Sequence, residues 1–203
     1  GGELVVDNGQ TFYTPHPTIE VEGRKWSLDI IGSNEFIDDD LRPKWSDGIA
    51  DFLDFWFNTS YPLECQTSGS TGLPKLISHS RDSAIYSATR TLEFFDLCKG
   101  ARILHALPMH FIAGKMMLAR GVIGRLNIIA IDPKINTSWF GPIDFTALTP
   151  HQLTKLHTPI EGKILLGGSP VPDTLSNNSG NIYEGYGMTE TLTHVAIKKV
   201  NDQ

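Results

Sequence analysis

Beyond residue 100 the chain alternates between short apolar runs and segments of helical period, and nearly every run stops at Gly, Pro or Asp. Residues 103–107 are apolar apart from one histidine and are closed by Pro108. Residues 126–131 form a β-branched run ended by Asp132 and Pro133. Residues 144–148 and 163–166 are two more runs, the second passing into Gly167-Gly168, and residues 182–183 pass into Gly185. Between the runs, residues 114–124 place Met116, Met117, Ala119, Val122 and Ile123 at helical spacing, and Pro150 suits the first turn of another helix. Strand and helix alternating at this interval predict an α/β fold, a largely parallel sheet flanked by helices. In such a sheet, ligands bind where the loops leave the carboxyl ends of the strands.

Upstream the pattern is weaker. Ser80 reads as the N-cap of a helix whose apolar face is Ile85, Ala88, Leu92 and Phe95, ending near Gly100. Ser46 reads as the cap of a helix through Asn58, with Ile49, Phe52, Leu53 and Trp56 on one face. Residues 3–45 show no sustained period and carry Pro15, Pro17, Pro43 and the run Asp38-Asp39-Asp40, which reads as a solvated turn. Residues 1–60 are therefore treated as a lead-in and residues 61–203 as the α/β core.

At 203 residues, 40% hydrophobic and 20% charged, the composition is that of a globular chain and excludes disorder. A net charge of −6 argues against a general nucleic-acid binder, which carries a basic face. No apolar run approaches the ~20 residues of a membrane span. Two cysteines, Cys65 and Cys98, are too few for a disulfide framework and suit a reducing, cytoplasmic setting.

Three segments carry chemistry. Thr67-Ser68-Gly69-Ser70-Thr71-Gly72-Leu73-Pro74-Lys75 packs four hydroxyls, two glycines and a lysine into nine residues. Glycine lets backbone approach an anion, and consecutive N–H groups form a nest for it, so polyphosphate is the natural guest. It is not a Walker A loop, because counting from Gly69 the second glycine position holds Pro74. Gly167-Gly168-Ser169-Pro170, at a strand end, lets a flat ligand lie against backbone. Tyr183-Glu184-Gly185-Tyr186-Gly187-Met188-Thr189-Glu190-Thr191 sets an aromatic ring between two glycines. A hydroxyl for phosphate and a carboxylate for a hard cation follow directly, and Mg²⁺ needs only one or two carboxylates beside substrate phosphates.

The loop at 67–75, the Tyr-Gly-Met-Thr-Glu-Thr run at 186–191 and the glycine pair between them together resemble the adenylate-forming enzymes. That family comprises acyl- and aryl-CoA synthetases, luciferases and peptide-synthetase adenylation domains, and the resemblance covers residues 60–197. It implies the large N-terminal domain of such an enzyme. The implied reaction joins a carboxylic acid to ATP as an acyl-adenylate, from which a thiol, often coenzyme A, displaces AMP. It further implies Thr189, Glu190 and Lys75 as catalytic residues. Thr67, Ser68, Gly69, Ser70, Thr71, Gly72 and Lys75 would hold the β- and γ-phosphates. Thr189 would contact the α-phosphate, and Glu190 would bind Mg²⁺. Tyr186 would stack on adenine in a slot lined by Gly168, Ser169, Gly185 and Gly187.

Residues 107–114 resemble the family's Pro-Leu-Phe-His-x-x-Gly stretch, and the resemblance implies His110, Phe111, Gly114 and Thr191 as residues of the acid pocket. The aromatic and the histidine are transposed here, so either His110 swings in as the gate or Phe111 replaces it. The compact lead-in, residues 69–75 and residues 112–115 are most similar to the o-succinylbenzoate–CoA ligases of menaquinone synthesis. An acceptor thiol on a carrier protein, and a non-catalytic nucleotide-binding module, stay open beside that reading. Family members continue past the Tyr-Gly-Met-Thr-Glu-Thr run to a ribose-binding Asp and a lid domain with a lysine that assists adenylation. The present sequence ends at Gln203, so a truncated N-terminal portion, able to bind nucleotide but poorly active, is the expectation.

Overall fold

The computed structural model describes residues 2–200 apart from 8, 9, 16, 68–74, 136–138, 140, 173, 174, 176–180 and 193. In chain order the elements are β1 (Gly2–Asp7), β2 (Gln10–Pro15), β3 (Thr18–Val21), β4 (Arg24–Ser27), α1 (Ile30–Ile37), α2 (Asp47–Asn58), β5 (Leu63–Gln66), β6 (Leu76–His79), α3 (Arg81–Phe94), β7 (Arg102–His105), α4 (Ile112–Ile123), β8 (Asn127–Ala130), β9 (Phe145–Leu148), α5 (Pro150–Lys155), β10 (Lys163–Leu166), β11 (Ile182–Gly187) and β12 (His194–Lys199). The principal sheet has the order β12-β11-β10-β9-β7-β8-β3-β4. Strands β11 to β3 run parallel, and an antiparallel neighbour closes each edge. The fold is thus the expected mostly parallel sheet flanked by helices.

The central strands are apolar on both faces because both faces are covered. All four residues of β9 are buried. Ile103, Ile128, Phe145, Ala147 and Leu165 pack with α2, α3 and α4, whereas Leu104, Ile129, Leu148, Ile164 and Leu166 fill a second layer with Trp139 and Leu175. Helix α4 is buried on nearly every side, from Met116 through Gly121. Gly121 lets it lie on the sheet, since a Cβ there would stand 2.3 Å from the Ile128 Cδ1.

The connections create the crevice. From β7 the chain passes through α4 to β8, toward the β4 edge; from β9 it passes through α5 to β10 and on to β11, toward the β12 edge. Loops leaving β7 and β9 therefore diverge, the topology at which doubly wound sheets bind ligands. One side chain ties them together. Gln152 completes a capping box with Thr149 at the start of α5, and its Nε2 donates to the carbonyls of Ala106 (2.6 Å) and Pro133 (2.9 Å). The loops after β7, β8 and β9 are thereby joined through one buried amide.

Several expectations need correction. Residues 3–45 are not irregular: they form two hairpins and a helix, and β3 joins the principal sheet beside β8. The β3–β4 turn takes Glu22 and Gly23 at φ 49° and 79°, the paired positive φ of a tight hairpin turn. Ser46 precedes α2 but does not cap it; its hydroxyl donates to the Pro43 carbonyl at 2.7 Å. Ser80 does cap α3, accepting from the Ser83 N–H at 3.1 Å. The buried face of α3 is Ala84, Ala88, Thr91 and Leu92, while Ile85 faces solvent. Asp39, in the acidic run, pairs with Arg24 and accepts from the Leu41 N–H.

His105 ends β7 between Ala130 and Ala147 of the flanking strands, fully buried, and its Nδ1 has no partner among the described residues. Burial pushes its pKa down to about 4. The unfolded chain therefore binds a proton between pH 6.5 and 4 that the folded chain refuses, so stability falls as pH falls through that interval. The expected loss from this residue is about 3 kcal/mol by pH 4. Melting midpoints followed from pH 7 to 4 check it: His105→Leu should flatten the profile, and an equally steep variant would contradict a buried neutral imidazole.

Candidate active site

Strand β11 carries Gly185, Tyr186 and Gly187 to the carboxyl edge of the sheet, where its pairing with β12 slips by a bulge between Tyr186 and Gly187. Bulges re-aim side chains at strand ends, and Tyr186 stands 65% exposed. On the adjacent parallel strand, Gly167 donates its N–H to the Leu148 carbonyl. A Cβ on Gly167 would lie 3.7 Å from the Gly185 carbonyl oxygen. Gly168 has φ +84°, a conformation that strains any other residue, and Ser169 beside it is exposed. An open aromatic face beside a backbone-lined ledge suits a planar heterocycle.

The chain then makes a single 3₁₀ turn, Thr189–Thr191. The Thr191 hydroxyl donates to the Met188 carbonyl at 3.0 Å and accepts from the Met188 N–H at 3.2 Å. The Leu192 N–H closes on the Thr189 carbonyl at 3.1 Å, and buried Leu192 holds φ +69°. That backbone costs about 1–3 kcal/mol and persists because the surroundings hold it. Thr189 is half-buried and Glu190 is exposed on this turn. Carboxylate and hydroxyl oxygens suit a hard cation. Among the described residues no group of three His, Cys, Asp or Glu can enclose a metal. A cation at Glu190 would thus complete its shell with ligand oxygens and water.

The β5–β6 hairpin carries the hydroxyl- and glycine-rich loop. Its neck is closed by the Thr67 N–H to the Lys75 carbonyl (3.0 Å) and the Lys75 N–H to the Thr67 hydroxyl (3.1 Å). Ser68, Gly69, Ser70, Thr71 and Gly72 lie outside the described residues. Lys75 is exposed at the neck. Two polar contacts seat the hairpin: Lys115 Nζ donates to the Glu64 carbonyl at 2.8 Å, and His79 Nε2 lies 2.7 Å from the Thr189 carbonyl.

After β7, His110 and Phe111 are both exposed, their ring centroids 4.0 Å apart, and Phe111 is the residue preceding α4. Gly114 is buried, and a Cβ there would stand 2.3 Å from the Pro108 carbonyl oxygen, so its hydrogen lets the first turn of α4 close on that loop. An open groove of about 840 Å³ runs between α3 and the 3₁₀ turn, lined by His79, Ser83, Ser87, Glu190, Thr191 and His194. Behind it sits Arg120, fully buried, its pKa lowered to about 10 by desolvation and so still cationic at neutral pH. Burial and that charge hold His194 down to about 4, neutral at pH 7. Arg120 and His79 lie outside the sequence motifs that mark the site. The arginine has a local signal, one charge inside the apolar run 116–123, whereas the His79 contact spans 110 residues and has none.

A family profile described as AMP-binding enzyme matches residues 65–203. The 2-succinylbenzoate–CoA ligase of Bacillus pumilus is 26% identical over 144 residues, 64% of this chain and 30% of that protein. The probable acyl-activating enzyme 4 of Arabidopsis thaliana is 28% identical over 170 residues, 75% of this chain and 30% of that protein. The chain thus spans about a third of the length of the curated relatives it matches. Among solved structures, an acyl-CoA synthetase (AMP-forming)/AMP-acid ligase II-like protein from Dyadobacter fermentans superposes with a TM-score of 0.71 at 31% identity, covering 85% of this chain and 53% of that one. The o-succinylbenzoate coenzyme A synthetase of Bacillus subtilis, solved with ATP and a magnesium ion, shares the fold at a TM-score of 0.56 and 22% identity, over 68% of this chain and 32% of that one.

Proposed function

The chain belongs to the AMP-binding enzyme family, and from that membership we propose that it forms the nucleotide-handling part of an AMP-forming acid–thiol ligase. The observation that carries the proposal is the Tyr186–Thr191 segment. It carries an exposed ring, a half-buried threonine and an exposed carboxylate in succession at the carboxyl end of β11, whose Gly185 carbonyl oxygen would stand 3.7 Å from a Cβ on Gly167.

Tyr186 stacks on adenine, with Gly168, Ser169, Gly185 and Gly187 giving backbone room. The loop 67–75 with Lys75 holds the β- and γ-phosphates, and the Thr189 hydroxyl donates to the α-phosphate. Glu190 holds Mg²⁺, which neutralises charge on the phosphate oxygens when bound. A carboxylate oxygen of the acid bonds to the α-phosphorus as the bond to pyrophosphate breaks, giving an acyl-adenylate. A thiolate, that of coenzyme A in this reading, then bonds to the acyl carbon as AMP leaves. No side chain acts as nucleophile; the protein positions the reactants and stabilises charge.

The acid we propose is o-succinylbenzoate, the substrate in the names of several relatives, with a role in menaquinone synthesis. The test incubates the full-length protein with ATP, Mg²⁺, coenzyme A and 2-succinylbenzoate. Thioester and AMP forming in equal amounts would support the proposal. ATP consumption with other aryl or fatty acids but not this one would move the substrate assignment.

A further inference from the structure

We infer that His79 is a positioning residue that ties the phosphate-loop hairpin to the Thr189–Glu190 turn, so that phosphate contacts and the cation-bearing carboxylate are held as one unit. The inference rests on the adenylation reading above for its kinetic consequence, and on geometry alone for the tether.

Four observations carry it. First, His79 ends the strand that leaves the loop, and its Nε2 lies 2.7 Å from the Thr189 carbonyl across 110 residues of sequence. The carbonyl can only accept, so Nε2 carries the proton. Second, the Thr189 carbonyl already accepts the Leu192 N–H, so the imidazole is not needed to satisfy it. Third, the turn is strained at Leu192, φ +69°, and strained turns hold only where neighbours over-determine them. Fourth, β6 has little apolar anchorage. Leu76 is 60% exposed, and among the described residues of the hairpin only Leu63 and Cys65 of β5 are buried. Among the described residues its position therefore depends on polar contacts, and the His79 bond is one that reaches the turn. Because Glu190 follows Thr189 directly, a bond held at the Thr189 carbonyl also fixes where the carboxylate starts.

The test compares His79→Ala with His79→Gln, whose amide nitrogen restores an N–H donor. In the full-length protein, His79→Ala should raise the Mg²⁺ concentration for half-maximal ATP–pyrophosphate exchange about tenfold, the scale of one lost hydrogen bond. The KM for the acid should be unchanged, and His79→Gln should return within about threefold of wild type. Amide hydrogen exchange at residues 188–192 should quicken in His79→Ala and return to wild-type rates in His79→Gln. That arm needs no turnover, so it tests the tether even if adenylation is not the reaction. Unchanged exchange at 188–192 in His79→Ala would overturn the inference. So would equal impairment of both variants with lowered melting midpoints, the mark of a merely structural histidine.

Discussion

Glu190→Gln is expected to lower the rate of acyl-adenylate formation by about a hundredfold or more while leaving the melting midpoint in place. Glu190 is exposed on the 3₁₀ turn, and no ion pair to it is present among the described residues. Its charge therefore does little for the fold, and surface changes of this kind stay within about 0.5 kcal/mol. Glutamine keeps the shape and one oxygen but loses the charge that attracts a hard cation. The expected loss is that of removing one electrostatic contact to charge developing in a transition state. ATP–pyrophosphate exchange across a Mg²⁺ titration checks it, because excess Mg²⁺ should recover part of the loss. A variant with wild-type exchange at all Mg²⁺ concentrations would remove the metal assignment.

The largest effect on stability is expected at Phe145. It is fully buried at the start of β9, opposite Ile103 of β7, and its ring centroid lies 4.7 Å from that of Phe95. Phe95 in turn meets Tyr183 of β11 edge-on at 5.1 Å. These rings join the middle of the sheet, the end of α3 and the strand that delivers Tyr186. Phe145→Ala should cost about 3–5 kcal/mol, through lost transfer energy and the cavity left behind, a large share of the ~5–15 kcal/mol that stabilises a domain. Phe145→Leu should recover more than half. Urea midpoints at constant m-value measure both, and a loss below about 1 kcal/mol for alanine would show that the cluster is not the keystone described.

The central strands were legible because burial on both faces leaves an uninterrupted apolar run. β10 falls at Lys163–Leu166 as predicted, while β7 ends at His105, two residues before its apolar run does. Caps that act within four residues were legible too: Ser80 on α3, and Pro150 at the first turn of α5. Short strands with one or two apolar positions were not, which is why β3 and β4 passed as lead-in. The dipeptide Asn8-Gly9 is a hairpin signal that lies in residue type and not in any long apolar period. In α3, period alone places Ile85 inside, whereas the helix buries Ala84 and Thr91 and leaves Ile85 exposed.

The same division holds at the candidate site. Residues 186–191 and the glycine pair could be placed from their position at strand ends. The contacts that hold them could not. Gln152 joins loops 46 and 19 residues away, and His79 reaches across 110. Such bonds depend on how the strands are ordered in the sheet, which no local pattern encodes. The need for a glycine at 114 is of the same kind: a Cβ there would stand 2.3 Å from the carbonyl oxygen of Pro108. Among the described residues no helix is long and apolar enough to cross a membrane.

Adenylation of a carboxylic acid at the carboxyl edge of this sheet can be read from isotope exchange between pyrophosphate and ATP in the full-length protein without any thiol. Exchange should require both Mg²⁺ and an acid such as 2-succinylbenzoate, and should collapse in Glu190→Gln. Exchange that proceeds equally without acid, or none with any aryl or fatty acid while ATP still binds, would contradict it.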